Sequence, residues 1–314
     1  MKRFKKILLV SRDGAGERAT LARAVELAKQ NRARLTLVEV VEELPLEQRM
    51  LVTAVAPQEL QKLAIEERKE QLQSLVAPLL EDGVRASAVV LAGTPFLAII
   101  REVLRKKHDL VILSAEGRGG IKGRLFGSTS LHLMRKCPCP VWVMKPTRSR
   151  RYSRILAAVD PDPSDPVRTA VNAEILDLAT SLARLEKSAL HLVHVWRLPG
   201  EGMYRGGRAG IPKQRLKELL AEARDQTRKN LDELLSGYAL EDLKHRIHLL
   251  KGKPRILIPA LVQTEQIDLI VMGTVCRTGI PGFVIGNTAE NVLQQVDCSV
   301  LTVKPDGFVT PVTL

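Results

Sequence analysis

The chain contains two stretches that align with each other without a gap at a constant offset of 159 residues. The retained positions are Gly93 and Gly252, Gly120 and Gly279, Gly127 and Gly286, Thr129 and Thr288, Cys139 and Cys298, and Lys145-Pro146 and Lys304-Pro305. Solenoid units are only about 20 to 50 residues long, so this repeat is a duplicated domain. It predicts two domains of the same architecture, over residues 1–147 and 152–306.

The length of 314 residues is sufficient for two domains of about 150 residues each. Hydrophobic residues make up 45% and charged residues 26%, as in ordinary globular proteins. No apolar run approaches the roughly 18 residues of a membrane span, and none resembles the core of a signal peptide. We therefore expect a cytoplasmic protein with no transmembrane segment. Its four cysteines are too few for a disulfide framework.

The net charge is +13, which favours an anionic partner such as a small nucleotide. Aromatic residues make up only 3% of the chain, and this argues against nucleic acid bound by base stacking. A phosphate-only grip on duplex DNA through the basic segment Arg148–Arg154 is an alternative.

Short apolar runs alternate with segments of helical periodicity in both halves. The runs are nearly continuous in Val, Ile and Leu, which is typical of parallel strands covered on both faces. Right-handed crossovers then favour a five-stranded, doubly wound sheet in each half. The predicted strands are Ile7–Ser11, Arg34–Val40, Ser87–Ala92, Leu110–Ser114, Val141–Lys145, Ile155–Val159, Leu190–Val195, His245–Leu250, Leu269–Met272 and Val300–Lys304.

The two halves differ most after their second strands. The first half carries an apolar arm, Leu44–Ala56. The second carries a glycine-rich loop from Gly200 to Gly210 that includes Arg205 and Arg208. We interpret this loop as a flexible surface connection, with a mobile basic lid over an anion as the alternative.

Two glycine-rich loops follow the fourth strands, over Ser114–Thr129 and Gly273–Thr288. Ligands of open α/β sheets bind beyond the carboxyl ends of the strands, so these loops are the candidate sites. Consecutive backbone amides in such loops form a nest for an anion, and the helix that follows points further N–H groups at it.

The loops resemble the G-x-x-G-(nine residues)-G-S/T motif of the universal stress protein family. The strand regions Cys137–Pro146 and Cys298–Pro305 match the family too, so the resemblance covers both halves. The runs Gly273-Thr274-Val275 and Ile285–Glu290 are most similar to the tandem, E-type members. The resemblance implies two flavodoxin-like, adenine-nucleotide alpha-hydrolase-like domains that pair through their last strands, with an otherwise apolar seam.

In nucleotide-binding members of that family, an acid after the first strand faces the ribose or adenine, and the glycine loop holds the phosphates. The resemblance thus implies ATP or AMP as ligand. In the first half the implied residues are Asp13, Val38, Ser114, Gly117, Gly127, Ser128 and Thr129. In the second half they are Asp160, Val193, Gly273, Gly286, Asn287 and Thr288.

Both loops depart from the motif. Ser114 replaces the opening glycine of the first, while Cys276 and Asn287 replace a glycine and a hydroxyl residue of the second. We therefore expect the first half to have the better phosphate cradle and the second the better-placed acid. At least one half is expected to bind ATP. Cys276 lies on an anion-binding loop, which can lower the pKa of a thiol, so redox sensing at Cys276 is a further hypothesis, weaker than nucleotide binding.

Other motifs receive structural interpretations. Gly14–Ala19 fits a dinucleotide fingerprint, but Asp160–Pro166 lacks its glycines, so a dehydrogenase is the last alternative. His191 and His194 lie three apart on one strand and face opposite sides, as do His245 and His248, so no metal site is predicted. His108 and His132 are expected at the surface.

No catalytic triad, paired carboxylates or Walker motif stands out, so we expect no enzyme beyond slow ATP hydrolysis. The predicted function is a stress-response module that binds an adenine nucleotide. The alternative is a sensor or carrier of a hydrophobic anion such as a lipid precursor, suggested by the apolar arm beside a basic surface. A homodimer is compatible with either function.

Overall fold

A computed structural model describes residues 4–11, 17–42, 57–115, 126–145, 151–205, 212–274 and 286–314. Several features named above lie outside these residues. They are Asp13, the Gly14–Gly16 turn, the apolar arm Leu44–Ala56, Gly117, Arg208 and Cys276.

The described residues form ten strands and nine helices. The strands are β1 (Lys6–Val10), β2 (Arg34–Val41), β3 (Arg85–Ala92), β4 (Leu110–Ser114), β5 (Val141–Met144), β6 (Arg154–Ala158), β7 (Ala189–Trp196), β8 (His245–Lys251), β9 (Leu269–Gly273) and β10 (Ser299–Val303). The helices are α1 (Glu17–Asn31), α2 (Pro57–Glu81), α3 (Pro95–Lys106), α4 (Ser128–Lys136), α5 (Pro166–Glu186), α6 (Glu201–Arg205), α7 (Lys213–Ser236), α8 (Pro254–Thr264) and α9 (Asn287–Gln295).

All ten strands belong to one sheet, in the order β3-β2-β1-β4-β5-β10-β9-β6-β7-β8. Neighbours within each half are parallel, and the order reverses between β1 and β4 and again between β6 and β9. The halves join where β5 and β10 pair antiparallel, with Leu301 opposite Trp142. The predicted doubly wound sheets paired through their last strands are thus confirmed, and the pairing covers two sheet edges.

Both faces of the sheet are buried, which explains why the strands are almost uninterrupted apolar runs. Leu9 faces one core, which contains residues of α1, α2, α5 and α7. Leu8 faces the other core, which contains residues of α3, α4, α8 and α9. Each core runs through both halves of the chain.

The backbone conformation explains why two of the matched glycines are present in both copies. Gly93 and Gly252 precede α3 and α8 with φ values of +116° and +150°, where side chains are strained. A Cβ at Gly252 would also lie 2.8 Å from Leu257 Cδ1.

The seam between the halves is apolar in both cores, as expected, but it also contains charged side chains. Arg23 of α1 pairs with Glu186 of α5 in one core layer. On the other face Lys145 Nζ lies 3.1 Å from Asp297 Oδ1, and Lys304 Nζ donates to Met134 O at 2.6 Å. The sequence did not predict these polar contacts, because they join elements that are far apart in the chain.

Within the described part of the chain, no helix combines the length and the apolar character needed to cross a bilayer.

Candidate functional site

An open cleft of about 2190 Å³ lies in the second half, at the carboxyl edge of the sheet. It spans the point where the strand order reverses between β6 and β9, which is where open α/β sheets bind ligands. Small-molecule sites usually measure about 300–1,000 Å³, so the cleft has room for a nucleotide. All six residues predicted in this half line it: Asp160, Val193, Gly273, Gly286, Asn287 and Thr288.

The acid at one end of the cleft is Asp160, two residues beyond β6. Its backbone is fixed by Asn172 of α5, which accepts from Asp160 N at 2.9 Å and donates to Asp160 O at 3.0 Å. The Asp160 side chain remains 67% exposed. The loop therefore holds an accessible carboxylate on a rigid backbone.

Arg168 of α5 borders this acidic end. Its Nη1 atom lies 3.3 Å from Asp160 Oδ2 and 3.2 Å from Asp162 Oδ2, and its Nε atom lies 3.1 Å from Asp165 Oδ2. Asp165 in turn caps α5 by accepting from Val167 N and Arg168 N. Three carboxylates surround one guanidinium, so this end of the cleft carries net negative charge and suits hydroxyl groups better than phosphates.

The start of α9 also lines the cleft. Helix α9 begins directly after Gly286, which provides no side-chain cap, so the amides of its first turn are available to an anion. Asn287 and Thr288 are exposed there. Lys253 and Arg255, at the start of α8, line the same cleft, and the Arg255 carbonyl accepts from Gln295 Nε2 at 3.4 Å, at the C-terminal end of α9.

Part of the cleft wall is apolar. Val193 of β7 is buried at 1% exposure, and Trp196 ends the same strand under the ammonium group of Lys251, whose Nζ lies 5.9 Å from the ring centroid. Val171, Ile258, Met272 and Phe308 complete the wall. It would accept a planar base or an alkyl chain.

His194 lies beside the acid. Its Nδ1 atom is 3.1 Å from Val159 O and 3.9 Å from Asp160 Oδ1. Burial lowers the pKa of His194, so the ring is neutral at pH 7 and holds the loop after β6 through the Val159 carbonyl.

Of the predicted glycine-rich loop, the structure describes Gly200 to Arg205, where it has a short helix; the rest of the loop lies outside the described residues. Gly200 takes a φ of +73° and leads into α6. Lys251 Nζ then anchors this helix to the edge strand through Glu201 Oε1 at 2.8 Å. Gly200, Gly202 and Met203 line the cleft, so the segment forms part of its rim.

Because Gly273 has no side chain, α5 can approach the cleft floor closely. A Cβ at this position would lie 2.8 Å from Val171 Cγ1, and valine has little rotamer freedom in a helix. We expect Gly273→Ala to cost about 1–3 kcal/mol in urea unfolding, as overpacking usually does. The matched position in the first half is Ser114, where Ser114→Ala should cost less. Equal losses would show that the close approach does not constrain residue 273.

In the first half, the described residues give only part of the predicted site. Val38 is buried on β2, and Ser114 ends β4 with its Oγ 3.5 Å from Glu17 Oε2. Gly127 is the N-cap of α4, which Ser128 and Thr129 begin; Ser128 is exposed and Thr129 buried.

The histidine predictions need correction. His108 is buried at 7% exposure, and His132 stacks on Phe96 with ring centroids 4.2 Å apart, so neither is a simple surface residue. His191 and His194 do face opposite sides of the sheet. However, His191 Nδ1 lies 3.0 Å from His248 Nε2 on the neighbouring strand, a contact that comparisons within one strand could not find.

Sequence reasoning did not identify Arg168, His194, Trp196, Lys253 or Arg255 as residues of the cleft. Only Arg168 had a usable signal, because it lies among acidic residues that follow a strand.

The fold and the cleft define a duplicated α/β protein with a ligand-sized site at the carboxyl edge of its sheet. A sequence model of the Universal stress protein family matches residues 3–145 and 151–304. The chain belongs to this family, and its two copies make it a tandem member.

Relatives of known sequence agree with this assignment. Universal stress protein E of Salmonella typhi is 28% identical over 327 residues, covering 100% of this chain and 98% of that protein. Universal stress protein E of Escherichia coli K12 is 32% identical over 227 residues, covering 72% of this chain and 70% of that protein. The predicted resemblance to tandem, E-type members is therefore confirmed.

Solved structures agree as well. A crystal structure from Pseudomonas aeruginosa UCBPP-PA14, provisionally described as a universal stress protein, is 26% identical to this chain. The match covers 98% of this chain and 95% of that chain, with a TM-score of 0.71. A universal stress protein from Archaeoglobus fulgidus is 18% identical with a TM-score of 0.63, and this supports the fold alone.

Proposed function

We propose that this protein is a stress-response module that binds an adenine nucleotide such as ATP in at least one half, with the second-half cleft as the better-defined site. The observation that carries the proposal is the charge arrangement of that cleft. An accessible carboxylate, Asp160, and an uncapped helix N-terminus at Gly286 both line it.

These two features match the two parts of a nucleotide. Asp160 would accept hydrogen bonds from ribose hydroxyls, which a carboxylate binds strongly. The first-turn amides of α9 would receive the phosphates. The apolar wall at Val193 and Trp196 would cover the base. Binding without catalysis, or with slow ATP hydrolysis, is the activity that we propose.

The test is a titration of the full chain with a fluorescent ATP analogue. Asp160→Ala should weaken binding about 10- to 100-fold, because it removes charge-assisted hydrogen bonds worth about 1.5–3 kcal/mol. Asp242→Ala is the matched control, since Asp242 pairs with Arg184 outside the cleft and its loss should leave binding unchanged. Absence of saturable binding below millimolar concentrations would refute the proposal for both halves.

A carrier of a hydrophobic anion is the second candidate, favoured by the apolar wall of the same cleft. Native mass spectrometry of freshly purified protein distinguishes the two. A bound adenine nucleotide supports the first candidate, whereas a bound acyl-containing mass supports the second.

A further inference from the structure

The second half contains a cluster of metal-ligating side chains that is separate from the cleft. Strands β7 and β8 pair in parallel with His191 opposite Arg246. His248 lies two residues further along β8, so its side chain shares the face of His191. The two rings are nearly coplanar and meet edge to edge, with 14° between their planes, centroids 5.2 Å apart and His191 Nδ1 3.0 Å from His248 Nε2.

A carboxylate completes the cluster. Glu265 follows the C-terminus of α8, and its Oε2 atom lies 3.9 Å from His191 Nδ1. The backbone carbonyl of Glu265 is held by Arg154 Nη1 at 3.0 Å. One nitrogen or oxygen atom from each of His191, His248 and Glu265 lies within 4.8 Å of the others.

We propose that His191, His248 and Glu265 form a binding site for a divalent transition-metal ion, with Zn²⁺ as the best-fitting ion. Two imidazole nitrogens favour zinc over magnesium or calcium, which prefer oxygen ligands. Two histidines and one carboxylate are a common zinc ligand set, and water then completes the tetrahedron.

The distances fit this assignment. Tetrahedral zinc with bonds of about 2.0–2.2 Å places neighbouring ligand atoms about 3.3–3.6 Å apart. The observed separations of 3.0 Å between the imidazole nitrogens and 3.9 Å from His191 to Glu265 lie on either side of that range. Small side-chain rotations would therefore admit the ion without moving the strands.

Metal binding leaves the number of protons on the two imidazole rings unchanged. The present contact between His191 Nδ1 and His248 Nε2 requires a hydrogen on one of the two nitrogens. When the metal binds, that ring changes tautomer and carries the hydrogen on its outer nitrogen. Both facing lone pairs then point at the ion, and two neutral imidazoles remain.

Two arginines lie beside the proposed site, and their contacts with Glu265 must leave its carboxylate available to the metal. Arg246 Nη1 donates to both oxygens of Glu265, to Oε1 at 3.0 Å and to Oε2 at 3.1 Å. The Arg246 side chain is 63% exposed, so it can move into solvent and release Oε2. Exposed ion pairs contribute little, so losing this pair costs less than a metal–carboxylate bond gains. Arg154 contacts the backbone carbonyl of Glu265 and leaves its carboxylate available.

The first half lacks these ligands, so the site arose in one copy only. The registers of β2 and β7 place Thr36 where the second half has His191. At the repeat offset, Val89 and Lys106 match His248 and Glu265. Thr36 Oγ1 instead lies 3.3 Å from Ser87 Oγ.

The site would fasten the edge of the sheet to the helix that leads to the cleft. It joins β7 and the edge strand β8 to the C-terminal end of α8, whose N-terminal residues Pro254 and Arg255 line the cleft. Occupancy would stabilise the second half.

The test is a titration of the untagged full chain with Zn²⁺ by calorimetry. We expect one site with a dissociation constant below about 10 μM and a higher Tm when zinc is present. His248→Ala and Glu265→Gln should each weaken the site at least about 100-fold, more than outer-shell changes do. Glu265→Gln keeps a side chain of the same shape, so its effect separates the loss of the carboxylate from a loss of packing.

His245→Ala is the matched control, since His245 lies on the same strand and contacts the carbonyls of Leu240 and Leu243. Circular dichroism must show that each variant is folded. The proposal is wrong if the chain binds no zinc in this range, or if folded His248→Ala and Glu265→Gln bind it like the wild type. Loss of binding in a Cys137→Ser/Cys139→Ser variant instead would move the site to that cysteine pair.

Discussion

Glu186→Ala should destabilise the whole chain by about 3–5 kcal/mol, the usual cost of removing one partner from a buried ion pair. Glu186 of α5 binds Arg23 of α1, so the pair joins the two halves. The two side chains are only 8% and 10% exposed. Glu186 Oε2 also accepts from Tyr152 N at 3.2 Å, and the Tyr152 ring lies 4.1 Å from Arg23 Cζ.

The reason for the large effect is desolvation. Burial raises the pKa of Glu186, while Arg23 opposes that rise. The pair thus balances the burial costs of two charges against a close attraction. The single substitution removes the attraction and the cost of burying Glu186, but it leaves the cost of burying the charge of Arg23. Replacing both residues, as Arg23→Met/Glu186→Met, should cost less than Glu186→Ala.

Urea unfolding of the full chain measures these differences. Asp242→Ala is the control, because it removes the partner of Arg184 in an exposed pair and should change little. If Glu186→Ala were no more destabilising than this surface substitution, the buried pair would not hold the halves together.

The strands of the sheet could be predicted because each one has its own apolar pattern in the sequence. Runs such as Leu110–Ser114 are apolar at every position, as strands with two buried faces must be. The duplication then extended each assignment to the second half. The resemblance to a family added the pairing of the last strands, which the structure shows to be antiparallel between β5 and β10.

The sequence could not predict contacts that depend on register between distant elements. Alternation along β7 correctly separates His191 from His194, but it says nothing of His248, which joins the cluster only through the pairing of β7 with β8. Arg23 and Glu186 likewise meet only after the two sheets have joined. The resemblance to the family implied Asp160 and Gly286 as residues of the cleft, whereas Trp196 and Arg255 enter it from neighbouring elements that the motif does not include.

Raising the pH from 7 to 9 should stabilise this protein through Lys304. The side chain follows β10 and is buried, with Nζ donating to Met134 O at 2.6 Å and contacting Thr274 Oγ1, both uncharged. Burial lowers the pKa of Lys304 to about 7. The pKa of an unfolded lysine is about 10.4, so folding releases a proton between these two values.

The direction follows from linkage. Between pH 7 and about 10 the unfolded chain binds more protons at Lys304 than the folded chain, so the free energy of unfolding rises with pH. Stability is lost as pH falls towards 7, and below that value both states are protonated and the slope disappears. A difference between the folded and unfolded pKa of Lys304 of this size would raise the free energy of unfolding by about 2 kcal/mol between pH 7 and 9.

Urea unfolding at pH 7, 8 and 9 measures this slope, which Lys304→Met should reduce. Lys145→Met is the matched control from the first copy, because Lys145 has a carboxylate partner in Asp297 and its loss leaves Lys304 intact. Cys137→Ser should also keep the slope, which separates the lysine from the neighbouring thiol. An unchanged slope in Lys304→Met would show that Lys304 stays charged in the folded protein, with the carbonyl of Met134 compensating its burial.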